Sequence, residues 1–321
     1  MNPTPSLATI YLIILAVFIL GFLVNWYRNR TTMAAYKRIG FRAAIIFVIF
    51  ELLLLAITRS QFFIEVNVLV VVATLGVGIL RVWAVVNNGI FFSNQLGIRS
   101  FPLLAPRLGL SAVPAETPVV IPAAVVVEDS GPEPLLAATT PAYASEAPTV
   151  SVLATAPEAS VPLVPPSIPW PRYWLTIAGL ALAAVAYSAV LFLIAHPQIG
   201  LFARDLVSSD VQVLTPLTLV IILEFAFVEE LIFRLGIQNY LGTKLINKRY
   251  GYAGAIVLTA VLWTLGHVGS LDPDWVKLAQ VFPLGLALGW LYRKYGIEST
   301  VLVHGLFNVV GALVLSPLYL G

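Results

Sequence analysis

Eight stretches of this 321-residue chain are apolar and about long enough to cross a lipid bilayer, which constrains its fold more than any other feature. They run roughly over residues 7–26, 42–58, 62–81, 173–195, 213–236, 252–268, 276–293 and 298–317. A helix needs about 18 to 20 such residues to traverse about 30 Å of hydrocarbon. Composition agrees: 59% of residues are apolar and 11% charged, against about 25% charged in soluble domains. Lipid offers no hydrogen bonds to an open backbone, so the spans are expected to be helices. Barrel strands would alternate in polarity over about ten residues, and no segment does. The expected fold class is therefore all-α, a polytopic transmembrane bundle of about eight spans.

Loop charge sets the orientation. Arg28, Arg30, Lys37, Arg38 and Arg42 lie between the first two spans with no acid among them, which marks that loop as cytoplasmic. Threading onward puts Lys244, Lys248, Arg249, Arg293 and Lys294 inside, and Asp272 and Asp274 outside. Both termini then lie outside the cytoplasm. Residues Met1 to Ser6 carry no basic start, so the first apolar segment reads as a retained span and not as a cleaved signal. The net charge of +2 says nothing about nucleic acid, but the basic residues sit in loops and linkers with no aromatic-interleaved patch of the kind that binds it. There are no cysteines, so disulfides, thiolate nucleophiles and Cys-ligated metals are excluded.

Residues 93–171 are a different material. They hold 15 of the 22 prolines, counted from Pro102 through Pro171, with few aromatics. Proline at that density removes backbone donors and prevents regular structure. A semi-extended, disordered cytoplasmic linker is expected there, with a partner-docking segment as the alternative. The chain thus divides into a three-span module over 1–92, the linker over 93–171, and a five-span domain over 172–321.

Ionisable groups inside spans are expensive and mark candidate functional sites. The fifth span holds Glu224, Glu229, Glu230 and Arg234 in an otherwise apolar run. Glu230 and Arg234, four apart, share a helical face and suit an internal ion pair. Glu229 is offset about 100° from Glu230 and about 140° from Arg234, so it needs another partner. These charges are either structural or the seat of a general base. Two of the chain's three histidines, His267 and His304, lie in later spans of the same domain. Trp263 and His267 share a helical face, as do His304 and Asn308. His196, beside Pro197 at the end of the fourth span, reads as an interfacial residue.

Glu229-Glu230 with Arg234 resembles the E-E-x-x-x-R motif of the CPBP family, which includes the type II CAAX prenyl endopeptidases and the Abi proteins. Trp263-x-x-x-His267 resembles that family's aromatic-x-x-x-His motif, with Trp where Phe is more usual. His304-x-x-x-Asn308 resembles its H-x-x-x-N. The three occur in family order, and the resemblance covers about residues 173–321. It implies an intramembrane endopeptidase acting on a membrane-associated protein or peptide through activated water. By that resemblance Glu229 is the general base, assisted by His267, while His304 and Asn308 form the oxyanion hole. Glu230, Arg234 and Trp263 support them from behind. Such chemistry needs an activated water and donors aimed at the developing oxyanion when no Ser or Cys nucleophile serves.

Two points stand apart from that scheme. Counted from the inner ends of their spans, His267 lies deeper than His304 by roughly 10 Å. Glu229, His267 and His304 are also zinc-compatible ligands. The family was long called metallopeptidases, its more recent view is metal-independent, and no cofactor is the expectation here. There is no H-E-x-x-H zinc-peptidase helix, no G-x-G-D and no rhomboid-type serine elbow. Gly285 and Gly289 read as a close-packing pair, and Glu51, Glu65 and Arg81 as possible mutual partners. The rival readings are a catalytically silent scaffold or immunity protein of the same fold, and a carrier using Glu224 and Glu229. The carrier reading lacks paired inverted repeats. Partners are expected to be lipid and a membrane-associated substrate, and the location a bacterial plasma membrane.

Overall fold

The computed structural model describes residues 7–62, 68–102, 170–200, 216–315 and 318. Apart from one two-residue strand pairing, all regular structure among them is helical. The order is α1 (Leu7–Arg28), a 3₁₀ turn (Thr32–Tyr36), α2 (Lys37–Phe62), α3 (Val68–Gln95) and α4 (Trp170–Ala195). Then follow α5 (Pro216–Glu230), a π-helical segment (Leu231–Gln238), α6 (Asn239–Leu245), α7 (Gly251–Leu265), α8 (Asp274–Tyr295) and α9 (Ile297–Val310), which ends in a π turn (Gly311–Leu315). Strands β1 (Gln198–Ile199) and β2 (Leu271–Asp272) pair antiparallel.

Each of the eight expected spans is met by a helix, and the protein is an all-α membrane bundle. Four helical stretches among the described residues are long and apolar enough to cross a bilayer outright: Thr9–Arg28, Leu75–Gln95, Trp170–Ala195 and Ile297–Leu315. The others are short or charged. Helix α7 has 15 residues, and α8 carries Asp274, Lys277, Arg293 and Lys294. The outward face of α4 shows why lipid is needed, since Leu175, Leu182 and Ile194 are 72%, 71% and 72% exposed. Leaving such side chains in water forfeits the burial that stabilises a fold.

Most of the expected linker lies outside the described residues, as does Glu65. Its first ten residues are ordered by the C-terminal helices. Helix α3 continues to Gln95, Ser93 and Ser100 hydrogen-bond through their hydroxyls, and the Ile297 amide donates to the Ser100 carbonyl at 2.8 Å. This segment reaches the start of α9 before most of the prolines begin.

The π segment is the hub. Every residue in it except Ile232 is buried, because α1, α3, α7 and α8 close on it from several sides. Two glycines admit the approach: a Cβ on Gly89 of α3 would stand 2.7 Å from the Leu235 carbonyl oxygen, and one on Gly236 would stand 3.0 Å from the Phe22 ring of α1. Buried amides then fix the contact. Gln238 Nε2 donates to Tyr252 Oη and to the Gly289 carbonyl, both at 3.0 Å. Asn239 Nδ2 donates to Tyr292 Oη at 2.5 Å, and its Oδ1 accepts from Tyr252 Oη at 3.0 Å. Polar groups buried this deeply cost free energy unless paired, so the pairing also specifies the register of α6, α7 and α8. A Cβ on Gly289 would stand 2.7 Å from Ile256 Cγ2, in keeping with a close-packing pair.

The charges in the N-terminal helices have partners too. Arg81 of α3 lies within electrostatic reach of Glu51 of α2 and Glu224 of α5, and the two carboxyl groups are close enough to interact. Three spans therefore meet at one ionic cluster, upstream of Glu229 on the same helix.

Candidate active site

Helix α5 ends at Glu229 and Glu230, at the boundary with the π segment. A π turn inserts an extra residue and re-aims the side chains around it, and such turns recur at functional sites. The two neighbouring carboxylates part in the manner their angular offset predicts. Glu230 turns inward and is 0% exposed, whereas the Glu229 side chain is 27% exposed. Only Glu229 can meet water.

Glu230 is held twice. Its Oε2 pairs with Arg234 Nε at 3.3 Å, and its Oε1 accepts from His304 Nδ1–H at 3.0 Å. Arg234 is wholly buried, with its guanidinium carbon 5.3 Å from the centre of the Trp263 ring. With Nδ1 committed to Glu230, the other nitrogen of His304 faces Glu229, its Nε2 being 3.9 Å from Glu229 Oε2. The Glu230–His304 bond thus fixes both the ring's orientation and which nitrogen points at the open side.

Trp263 joins the groups. Its indole N–H donates to Glu229 Oε2 at 2.6 Å, and its ring stands nearly edge-on to His267 and to His304, with centroids 4.9 Å and 5.3 Å away. The sequence offers Trp263 only as a large ring beside a histidine. The structure adds a donor that Phe lacks, and the Trp-for-Phe difference is its sequence signal. Gly285 of α8 makes room for this ring, since a Cβ there would lie 3.0 Å from Trp263 Cε3.

His267 falls in the turn beyond α7, where Nδ1–H donates to the Trp263 carbonyl at 2.9 Å. That bond leaves Nε2 as the acceptor. Trp263, one turn earlier on α7, meets Glu229 and His304, and His267 lies beyond it, within electrostatic reach of both.

Asn308, one turn after His304 on α9, lines a cavity of about 360 Å³ together with Lys277 and Gln280. The other walls include Phe192, Ile222 and Phe307. Lys277 Nζ donates to Gln280 Oε1 at 2.9 Å and lies within electrostatic reach of Glu229 and His267. Lys277 escaped the sequence reading, although a lysine inside an apolar span was itself a signal. The Asn308 side chain makes no hydrogen bond to Glu229, His267 or His304; it shares the helix of His304 and the cavity of Lys277.

Among the described residues no three His, Asp or Glu side chains form a metal-binding group. One Glu229 oxygen holds the Trp263 indole and His304 Nδ1 holds Glu230. Zinc would have to gather the two Nε2 atoms and the remaining Glu229 oxygen at about 2.0–2.2 Å, and a histidine whose other nitrogen donates to a carboxylate or carbonyl, as both do here, is compatible with that role.

Comparison with known proteins agrees with the motif reading. Residues 211–310 match the family described as Type II CAAX prenyl endopeptidase Rce1-like. The match spans Glu229, His267, His304 and Asn308, and bears out the resemblance carried by the three motifs. It leaves α1 to α4 outside. The chain is also 33% identical over 66 residues to the sporulation-killing factor biosynthesis protein SkfC of Bacillus subtilis (strain 168). That alignment takes in 20% of this chain and 13% of SkfC. No solved structure matches. The similarity to CAAX-type proteases is thus confined to the segment that carries the three motifs, and the protein is an integral membrane protein.

Proposed function

We propose that this protein is an intramembrane endopeptidase that hydrolyses a peptide bond of a membrane-associated protein or peptide through water activated at Glu229. The observation that carries the reading is the division of labour between two adjacent carboxylates, one buried against Arg234 and His304, the other open and held by Trp263.

The steps follow from the side chains. A water on the open side gives a proton to Glu229, with the bare Nε2 of His267 as a second acceptor that aims it. The water oxygen bonds to the substrate carbonyl carbon, and the C=O electron pair moves to oxygen. That oxyanion is met by Asn308 Nδ2–H and by Nε2 of His304 when it carries a proton, donors fixed in advance of the reaction. Collapse of the intermediate breaks the C–N bond, and the proton on Glu229 passes to the departing amine. Burial strengthens each of these interactions, because less water competes for the charges. The cavity walled by Phe192, Ile222 and Phe307 suits an apolar part of the substrate, and Lys277 offsets the charge of Glu229. The reading is metal-independent, since every group named already has a role without an ion.

The test is cleavage of internally quenched peptides with apolar C-terminal segments by the purified chain in phospholipid vesicles. Turnover that vanishes in Glu229→Gln supports the reading, and a fully active Glu229→Gln overturns it.

A further inference from the structure

The Rce1-like match begins at residue 211, yet one side chain near the candidate site comes from the other end of the sequence. Helix α1 buries a single stripe: Tyr11, Ile14, Leu15, Phe18 and Phe22 are the less exposed positions, while Leu12, Ile13, Val17 and Leu20 are exposed. The spacing of three and four residues is that of one helical face. At the later end of the stripe, Phe18 and Phe22 pack edge-on against Tyr240. At its start the stripe delivers Tyr11 to the turn that carries His267. A Cβ on Gly266 would stand 2.5 Å from the Tyr11 hydroxyl and 2.6 Å from its ring carbon Cζ. Gly266 is therefore the floor on which the phenol lies. Tyr11 is half-buried and lies within electrostatic reach of Glu229. No hydrogen-bond partner for its hydroxyl is found among the described residues, so an O–H donor stands beside the catalytic candidates uncommitted.

We propose that Tyr11 is a positioning residue of the site, its hydroxyl seated on Gly266 beside His267 and donating toward the Glu229 carboxylate and the water held there. The three-span module is then part of the active site and not an appendage, because the matched segment lacks this donor. The inference rests on the hydrolytic reading. A hydroxyl in this position limits where the carboxylate and its water can turn, so its loss lowers turnover without loosening substrate.

The experiment compares wild type, Tyr11→Phe, Gly266→Ala and Glu229→Gln on the same quenched peptides in phosphatidylethanolamine–phosphatidylglycerol vesicles, with melting temperatures in detergent. Tyr11→Phe keeps the ring and is expected to lower kcat about ten- to a hundred-fold, the usual range for one hydrogen bond to a charged group. KM and melting temperature should stay unchanged, and the limb of the pH–rate profile that reports the base should move. Gly266→Ala displaces the phenol and is expected to give the same kcat defect. Adding Tyr11→Ala to it relieves the clash and restores melting but not activity. Wild-type kcat and an unshifted pH profile in Tyr11→Phe, with Glu229→Gln inactive, overturn this inference alone. So does an activity loss that only follows a lowered melting temperature. An active Glu229→Gln, or a wild type that cleaves none of the peptides, overturns the hydrolytic reading and this inference with it.

Discussion

The indole N–H of Trp263 donates to Glu229 Oε2 at 2.6 Å, joining the last turn of α7 to the last turn of α5. One oxygen of the carboxylate is thereby fixed, and the other is left for water. The same ring borders both histidines and covers the guanidinium of Arg234. Trp263 is thus the contact through which three motifs, far apart in sequence, become one site.

Trp263→Phe separates the ring from the donor. Phe preserves much of the packing beside Gly285 and the histidines but cannot hold the Glu229 oxygen. Loss of a hydrogen bond to a charged group amounts to about 1.5–3 kcal/mol, so kcat should fall about ten- to a hundred-fold with melting nearly unchanged. Steady-state kinetics alongside thermal unfolding in detergent checks this. A wild-type kcat in Trp263→Phe would mean that the carboxylate is aimed by something else.

Glu229 and Glu230 should fail in different ways. Glu229→Gln keeps size and accepts the indole N–H but cannot take a proton, so hydrolysis should fall at least 10²- to 10⁴-fold, the usual contribution of a general base. The fold should survive, since this side chain is partly exposed. Glu230→Gln leaves Arg234 buried without its counter-charge, which costs about 3–5 kcal/mol. It also releases His304 Nδ1, so both melting temperature and activity should drop. Equal, stability-linked losses in the two variants would favour a purely structural role for the pair.

The sequence showed the helices and the three motifs because both have local signatures: long apolar runs for the spans, and ionisable residues stranded within them for the site. The separation of Glu229 from Glu230 was legible too, since adjacent residues on a helix cannot face the same way. What was not legible depends on tertiary approach. The π segment after Glu230 has no composition of its own and is defined by packing from α1, α3, α7 and α8. Tyr11 looked like any aromatic in a lipid-facing helix, and only the space above Gly266 shows where its hydroxyl goes. Glu51 and Arg81 were readable as partners, but Glu224 joins them from a span whose adjacency no spacing encodes.

Gly285 and Gly289 both press α8 against α7, but with different consequences. A side chain at Gly289 meets Ile256 and the Gln238 amide oxygen. Gly289→Ala should therefore cost about 1–3 kcal/mol, the usual range for overpacking, while sparing kcat. A side chain at Gly285 meets Trp263 itself. Gly285→Val should depress kcat as Trp263→Phe does, by moving the indole off Glu229. Melting temperatures and kcat measured on both variants test the distinction, and equal kcat values in the two would remove Gly285 from the site.

The roles of His304 and Asn308 decide whether a metal is needed. If His304 is a zinc ligand, chelation should abolish activity and added Zn²⁺ restore it, and Asn308→Ala should be mild because Asn is a poor zinc ligand. In the structure Nδ1 of His304 donates to Glu230, which leaves Nε2 for either role, and Asn308 lines the cavity one turn further along α9. Asn308→Ala is accordingly expected to cost about 10²- to 10³-fold in kcat, the loss typical of one oxyanion donor. KM should hardly change, because such a donor acts mainly in the transition state, and activity should persist in chelator. Chelator-sensitive turnover restored by zinc, together with a tolerant Asn308, would reassign these same residues to a metal centre.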